Sequence, residues 1–298
     1  MKNILIIGCG LLGSSLLRRI KKKKMANKIY VYDNSRSNIS KIKKLKLPGI
    51  IIKKLENGVV KSDLIILCTP MSEYKNLILK MNKFLSPKTI VTDIGSSKIE
   101  SSRIIKKFLR KDIFWTQSHP IAGSEVSGPE HGKQDIFENK WCVLIKEKNT
   151  KKNHLTKLNK FWKKIGSKVV VMSPEKHDKI FSMTSHLPHL IAYNLVKSAQ
   201  DFEKIQNFDL IKYSAGGLRD FSRIAASNEI MWRDVFFNNK LNISKAIDLF
   251  VKNLKSFKKD INSKNNKSIL KKLIETKKVR SKIIKLKQDI NKPDFGRS

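Results

Sequence analysis

Residues 3–13 read Asn-Ile-Leu-Ile-Ile-Gly-Cys-Gly-Leu-Leu-Gly, an apolar run of strand length that ends in a glycine turn and opens an amphipathic segment near 12–24. Gly8, Gly10 and Gly13 stand in the spacing G-x-G-x-x-G, with Leu11 and Leu12 between the last two. Gly8 permits the tight turn, Gly10 lets the backbone approach a pyrophosphate, and Gly13 lets helix pack on strand; the helix N-terminus turns its unpaired N–H groups toward the phosphates. The second β-type run, 28–32, ends in Asp33, twenty residues after Gly13. A carboxylate there accepts both ribose hydroxyls of NAD and repels the 2′-phosphate of NADP. Arg36 blunts that preference, because a guanidinium three residues on can receive a phosphate.

Outward from this loop the chain keeps one rhythm. Strand-like runs at 3–7, 28–32, 50–52, 64–68, 89–93, 113–117, 141–145 and 168–172 alternate with amphipathic segments near 12–24, 35–46, 72–84, 97–110 and 153–165. That alternation predicts an α/β fold, a doubly wound parallel sheet of Rossmann type with helices on both faces. The fourth strand ends in Cys68-Thr69-Pro70, beside the crevice where a dinucleotide sits, so Thr69 and Pro70 join the expected cofactor residues. At Ser173-Pro174, an N-cap followed by a good first helical residue, the strands stop. The reading is therefore a cofactor domain over 1–173 and an all-α C-terminal domain over 174–298, with a helix over 266–288 and a disordered end of about ten residues.

Composition sets outer bounds. The 298 residues carry a net charge of +38, which raises nucleic acid, an anionic surface or an acidic substrate as partners. Only ten of the 63 basic residues are arginine, the residue whose planar fork reads bases and phosphates, so the lysine excess reads as solvated faces and no specific nucleic-acid partner is expected. No apolar run approaches the ~20 residues that span a bilayer, and no signal peptide is visible, which points to the cytoplasm and away from a membrane. Cys9, Cys68 and Cys142 lack paired spacing or a nearby histidine cluster, so neither a disulfide framework nor a metal site is expected.

Four polar clusters have no evident packing purpose. In Asp93-Ile-Gly-Ser96-Ser-Lys98, Ser96 is either a helix N-cap or a hydroxyl facing the nicotinamide. Ser118-His119-Pro120 holds an imidazole at a strand end, fit for proton transfer near neutral pH, and leads to Glu125. Thr184-Ser-His186-Leu-Pro188-His189 sets two imidazoles three residues apart on a helix that Pro188 is expected to kink. Gly216-Gly-Leu-Arg219-Asp220-Phe-Ser-Arg223, followed by Trp232-Arg233, gathers three of the ten arginines within fifteen residues.

GCGLLGSS, TDIGSSK, SHPIAGSE, TSHLPH and GGLRDFSRIA, in this order from about residue 3 to 240, resemble the prephenate and arogenate dehydrogenases of tyrosine biosynthesis. The resemblance implies a nucleotide-binding domain followed by a helical dimerisation domain, a homodimer, NAD as cofactor and a small cyclohexadienol substrate. In the implied chemistry a hydride leaves the carbinol carbon for nicotinamide while the ring loses carbon dioxide. His119 matches the catalytic histidine that accepts a hydrogen bond from the ring hydroxyl, and Ser96 the serine that orients it. Arg223 matches the arginine that binds a substrate carboxylate. His189, Gly216 and Trp232 match residues at the side-chain end of the pocket, and Glu125 and Asp220 a polar pair that gates it. His131, His154 and His177 read as structural or solvated. No strand-rich regulatory segment follows the helices and no chorismate mutase segment precedes the glycine loop, so a monofunctional enzyme is expected.

Two rival readings stay open at this level. A β-hydroxyacid dehydrogenase shares the two-domain plan, but it uses a lysine general acid on the helix that here carries His186 and His189. A basic nucleic-acid binder on a nucleotide-binding fold would need arginines and aromatics on one face, whereas the arginines here gather at the expected pocket.

Overall fold

The computed structural model describes residues 1–286 and 288. These fall into two compact units, residues 1–243 and residues from 244 onward. The first unit opens with β1 (Asn3–Ile7), α1 (Leu11–Lys22), β2 (Lys28–Tyr32), α2 (Arg36–Lys44), β3 (Ile50–Ile51), α3 (Leu55–Lys61), β4 (Leu64–Leu67), α4 (Tyr74–Met81), β5 (Ile90–Asp93) and α5 (Ile99–Phe108). These five strands form one parallel sheet in the order β3-β2-β1-β4-β5. The winding reverses between β1 and β4, where a doubly wound sheet opens its ligand crevice at the carboxyl ends of the strands. The register sets Ile7 beside Tyr32 and Leu67, so Gly8, Asp33 and Cys68 emerge at one edge.

From Ile4 to Ile7 β1 is apolar because both of its faces are covered. Ile4 and Ile6 pack with Leu16, Leu17 and Ile20 of α1, whereas Leu5 and Ile7 pack with Tyr74, Leu77 and Met81 of α4. A parallel strand between two helical layers has no solvent side that could be polar. Each fully buried aliphatic side chain contributes about 1.5–3 kcal/mol, which makes this strand the anchor of the glycine loop that follows it.

β6 (Ser118–Pro120), β7 (Trp141–Ile145) and β8 (Lys168–Met172), with α6 (Lys152–Ile165) between the last two, make a second sheet. In it β6 runs antiparallel and β8 parallel to β7. The expected strand at 113–117 is corrected: these residues meet β5 through a single parallel bridge, Val91 to Trp115. The cause lies on either side. Arg110 bonds the carbonyls of Asn82 and Leu85, and regular pairing begins only at Ser118, where the chain joins β7 of the other sheet with His119 opposite Val143.

Beyond β8 no strand occurs among the described residues. Ser173 caps α7 (Pro174–Phe181) by accepting from the Lys176 amide, as its sequence predicts. A five-residue π-helical turn, Ser182–His186, joins α7 to α8 (Leu187–Gln206), and α9 (Gly216–Ala225) and α10 (Glu229–Asn238) follow. Pro188 is the second residue of α8 in a helix that runs on unbroken from the π turn, and the irregularity its missing N–H predicts lies in that turn, just before it.

α11 (Lys240–Asn262) carries the chain into the second unit, which continues as α12 (Asn266–Lys285). There Asn265 caps α12 through the Ser268 amide, and Asp260 accepts from Ser268 Oγ and Lys272 Nζ, each at 2.6 Å. Leu254, Leu270, Leu273, Ile274 and Val279 are exposed along these helices. The expected disordered end falls outside the described residues. None of the described helices is long and apolar enough to cross a membrane.

Candidate active site

The glycine loop is shaped by backbone constraints. Gly8 has φ +87°, and a Cβ there would lie 2.8 Å from the Cys68 carbonyl oxygen; a Cβ on Gly13 would lie 2.1 Å from that of Gly8. Gly10 differs, because a Cβ would meet nothing within 4 Å. The protein's own packing gives no reason for glycine at this position, whereas a ligand laid on the backbone does. Gly10 also starts α1 without a side-chain cap, so the amides of the first turn, at Leu11 and Leu12, are left for an anion. Asp33 Oδ2 accepts from the Cys9 amide at 2.7 Å and Oδ1 from the Ser35 amide at 2.8 Å, which fixes the carboxylate against the loop. Arg36 stands exposed at the start of α2, and Thr69 Oγ1 is buried without a hydrogen-bond partner just before Pro70. Open backbone, a bare helix N-terminus, a fixed carboxylate and an orphaned hydroxyl on one edge fit a dinucleotide.

A cavity of about 470 Å³ brings together Ser96, His119, Glu125, His189, Arg223 and Trp232. Of the sequence-predicted substrate residues, Gly216 and Asp220 lie on α9 with Arg223 but outside this lining. Arg223 Nη1 stands 3.8 Å from Glu125 Oε1, with the guanidinium about half exposed. His189 donates Nδ1–H to the Ser185 carbonyl at 2.9 Å and stacks on Trp232 with ring centroids 3.8 Å apart, while Trp232 Nε1 is buried and unpartnered. An aromatic slab with one acceptor nitrogen and one unused indole N–H is a surface for a planar, polar side chain.

His119 is buried, and Phe181 packs edge-on against its ring at 5.1 Å. Burial, reinforced by the positive charge of Lys98, holds its pKa well below the usual imidazole value, so the ring is neutral near pH 7. The strand beneath it is tied from several sides: Ser118 Oγ bonds Thr92 Oγ1 and the Asp93 carbonyl, and Lys98 Nζ donates to the Ser118 carbonyl at 2.7 Å. Ser96 is not the N-cap of α5. That end is capped from elsewhere in the chain, by Asp178, whose carboxylate accepts from the Lys98 amide at 2.8 Å and the Ile99 amide at 2.9 Å. Of the two readings for His177, structural or solvated, the second is excluded: it is fully buried, and its Nε2 lies 2.7 Å from His119 Nδ1.

A family model described as the nucleotide-binding domain of prephenate dehydrogenase matches residues 16–171, and one described as its dimerization domain matches residues 173–275. A cyclohexadienyl dehydrogenase of Zymomonas mobilis is 31% identical over 94% of this chain and 95% of its own length. A prephenate dehydrogenase of Lactococcus lactis is 33% identical over 94% of this chain and 77% of its own. Among solved structures, the A. aeolicus prephenate dehydrogenase in complex with hydroxyphenyl propionate and NAD+ superposes with a TM-score of 0.88 at 35% identity, covering 95% of this chain and 98% of that one.

Proposed function

The chain belongs to the prephenate dehydrogenase family, and from that premise we propose that it oxidises prephenate, or the closely related arogenate, with NAD on the route to tyrosine. One observation carries the reading. A buried His119 and a half-exposed Arg223 line one cavity, on a fold whose glycine loop is open for a dinucleotide.

Bound NAD supplies the hydride acceptor. Gly8, Gly10, Leu11, Leu12, Gly13, Thr69 and Pro70 hold it, Asp33 takes the ribose, and exposed Arg36 leaves some tolerance for a 2′-phosphate. His119 Nε2 accepts the hydrogen bond of the ring hydroxyl and draws its proton as the carbinol carbon loses hydride. Carbon dioxide then departs, the C–C electron pair completes the aromatic ring, and the phenolate oxygen takes its proton back from His119, so charge balances. Ser96 orients the hydroxyl. Arg223 exchanges its loose contact with Glu125 for a bidentate pair with a substrate carboxylate. His189 and Trp232 face the ring's side chain, while Gly216 and Asp220 act through the placement of α9.

The functional division is a cofactor domain over 1–173 and a substrate and dimerisation domain over 174–298, supported by the two matched ranges meeting at 171–173. The exposed leucines and isoleucines of α11 and α12 support a homodimer. Three unpaired cysteines suit a reducing cytoplasm. The test is to incubate the purified protein with NAD and prephenate or arogenate separately and follow the absorbance of the reduced nicotinamide. Reduction with one or both is expected, and none with either overturns the reading.

A further inference from the structure

Behind His119 runs a closed chain of hydrogen bonds. His119 Nδ1 lies 2.7 Å from His177 Nε2, and His177 Nδ1 lies 2.7 Å from Asp178 Oδ1. All three residues are buried, and Phe181 packs on both imidazoles, with centroids 5.1 and 4.6 Å from those of His119 and His177. An ionised carboxylate can only accept, so Asp178 fixes the proton of a neutral His177 on Nδ1. His177 Nε2 then carries a lone pair and can only accept from His119, which fixes the His119 proton on Nδ1. The remaining nitrogen, His119 Nε2, makes no hydrogen bond to the described residues and must carry the lone pair.

We propose that His177 and Asp178 are positioning residues that set the tautomer of His119, so that Nε2 meets the substrate hydroxyl as an acceptor. Asp178 is itself held. Its two carboxylate oxygens receive the amides of Lys98 and Ile99 and the hydroxyl of Ser97, and Asn239 Nδ2 donates to its carbonyl at 2.8 Å. The loop that bears Ser96 and the imidazole pair are thereby registered by one side chain. The proposal rests on His119 as the acceptor, and its test separates the two claims.

The substitution Asp178→Asn keeps an oxygen for the α5 amides but can offer an N–H to His177 Nδ1. Each imidazole then turns over its proton, and His119 presents Nε2–H, a donor, to the substrate. A tautomer error of this kind in the serine protease triad costs about 10⁴ in kcat. Asp178→Asn and His177→Phe are expected to lower kcat at least about 10-fold with the substrate KM little changed. Long-range ¹H–¹⁵N spectra of the unmodified protein should show His119 with a pyrrole-type Nδ1 and a pyridine-type Nε2, and Asp178→Asn should exchange them. If His119→Asn abolishes turnover while the His177 and Asp178 variants keep kcat, the relay is wrong and His119 stands. If His119→Asn keeps kcat, the underlying assignment is wrong. Should the variants fail to fold, an Nε2–H tautomer of His119 in the unmodified protein overturns the proposal by itself.

Discussion

Lys98 Nζ and Asp93 Oδ2 meet at 2.7 Å with neither side chain exposed, directly beneath the strand that presents His119. Every oxygen of that carboxylate is used, since Tyr74, Trp115 and the Gly95 amide also donate to it. Removing one member of a buried pair leaves an uncompensated charge and costs about 3–5 kcal/mol. Lys98→Met should therefore lower stability by that amount in urea denaturation, with much of the loss recovered in the double variant Asp93→Asn, Lys98→Met. A loss below about 1 kcal/mol, the size typical of an exposed pair, would contradict the assignment.

His119→Asn and Arg223→Ala should separate chemistry from binding. The first should lower kcat by about 10²–10⁴-fold with little change in KM, as loss of a general base implies. The second should act mainly on KM, by about 10–100-fold, because one charge-assisted carboxylate contact is worth about 1.5–3 kcal/mol. Steady-state kinetics with folding checked by circular dichroism decide it; a near-normal kcat for His119→Asn would transfer the role of base to His189.

Acid should weaken this fold before it reaches ordinary carboxylates. Burial lowers the pKa of His119 and His177 well below 6.5 and that of His186 to about 4. In the unfolded chain all three protonate near 6.5, so below that value the unfolded state binds more protons and stability falls as pH falls, toward about 4 for His186. Thermal midpoints taken from pH 7 down to pH 5 should decline, while kcat/KM should hold below pH 6.5 because His119 stays neutral there. An acid limb of activity at or above 6.5 would show that His119 is not held neutral.

Asp33→Ala should shrink a preference for NAD over NADP and raise the KM for NAD, since the variant loses both the ribose acceptor and the tether to the Cys9 amide. Equal or better turnover of the unmodified protein with NADP would point to Arg36 as the residue that sets the choice.

A homodimer should appear in light scattering at micromolar concentration, at twice the 34.3 kDa chain mass. Replacing Leu270 and Leu273 by glutamate should shift the population toward monomer if the exposed apolar face of α12 is the one covered. A unit-mass particle in the unmodified protein would leave those side chains without a partner.

The parallel sheet and its crevice were legible because they are written in local pattern: the apolar runs of β1 and β4, the glycine spacing, Asp33 at a strand end, Ser173-Pro174 at a helix start. α3 was not legible, since Asn57-Gly58 reads as a turn. Glycine stands at 58 for a packing reason, since a Cβ there would lie 2.3 Å from Ile52 Cδ1. The second sheet escaped for another reason: β6 is three residues long and its partner β7 begins twenty-one residues after it ends, so nothing local marks the pairing. His119 and Arg223 stood out by their clusters, whereas His177 and Asp178 sit in Pro-Glu-Lys-His-Asp-Lys, a segment that reads as a charged helical face. Only the tertiary packing turns that pair inward.

Asp178 belongs to the range that matches the dimerization model, yet the helix end it caps and the histidine it reaches through His177 belong to the range that matches the nucleotide-binding model. The two segments are therefore not interchangeable modules. A nucleotide-binding half transplanted onto a different helical partner would carry its sheet and glycine loop intact but would lose the proton address of its own histidine. Inheritance of this chemistry has to follow the junction, with the first two turns of α7 travelling alongside the strand that bears His119.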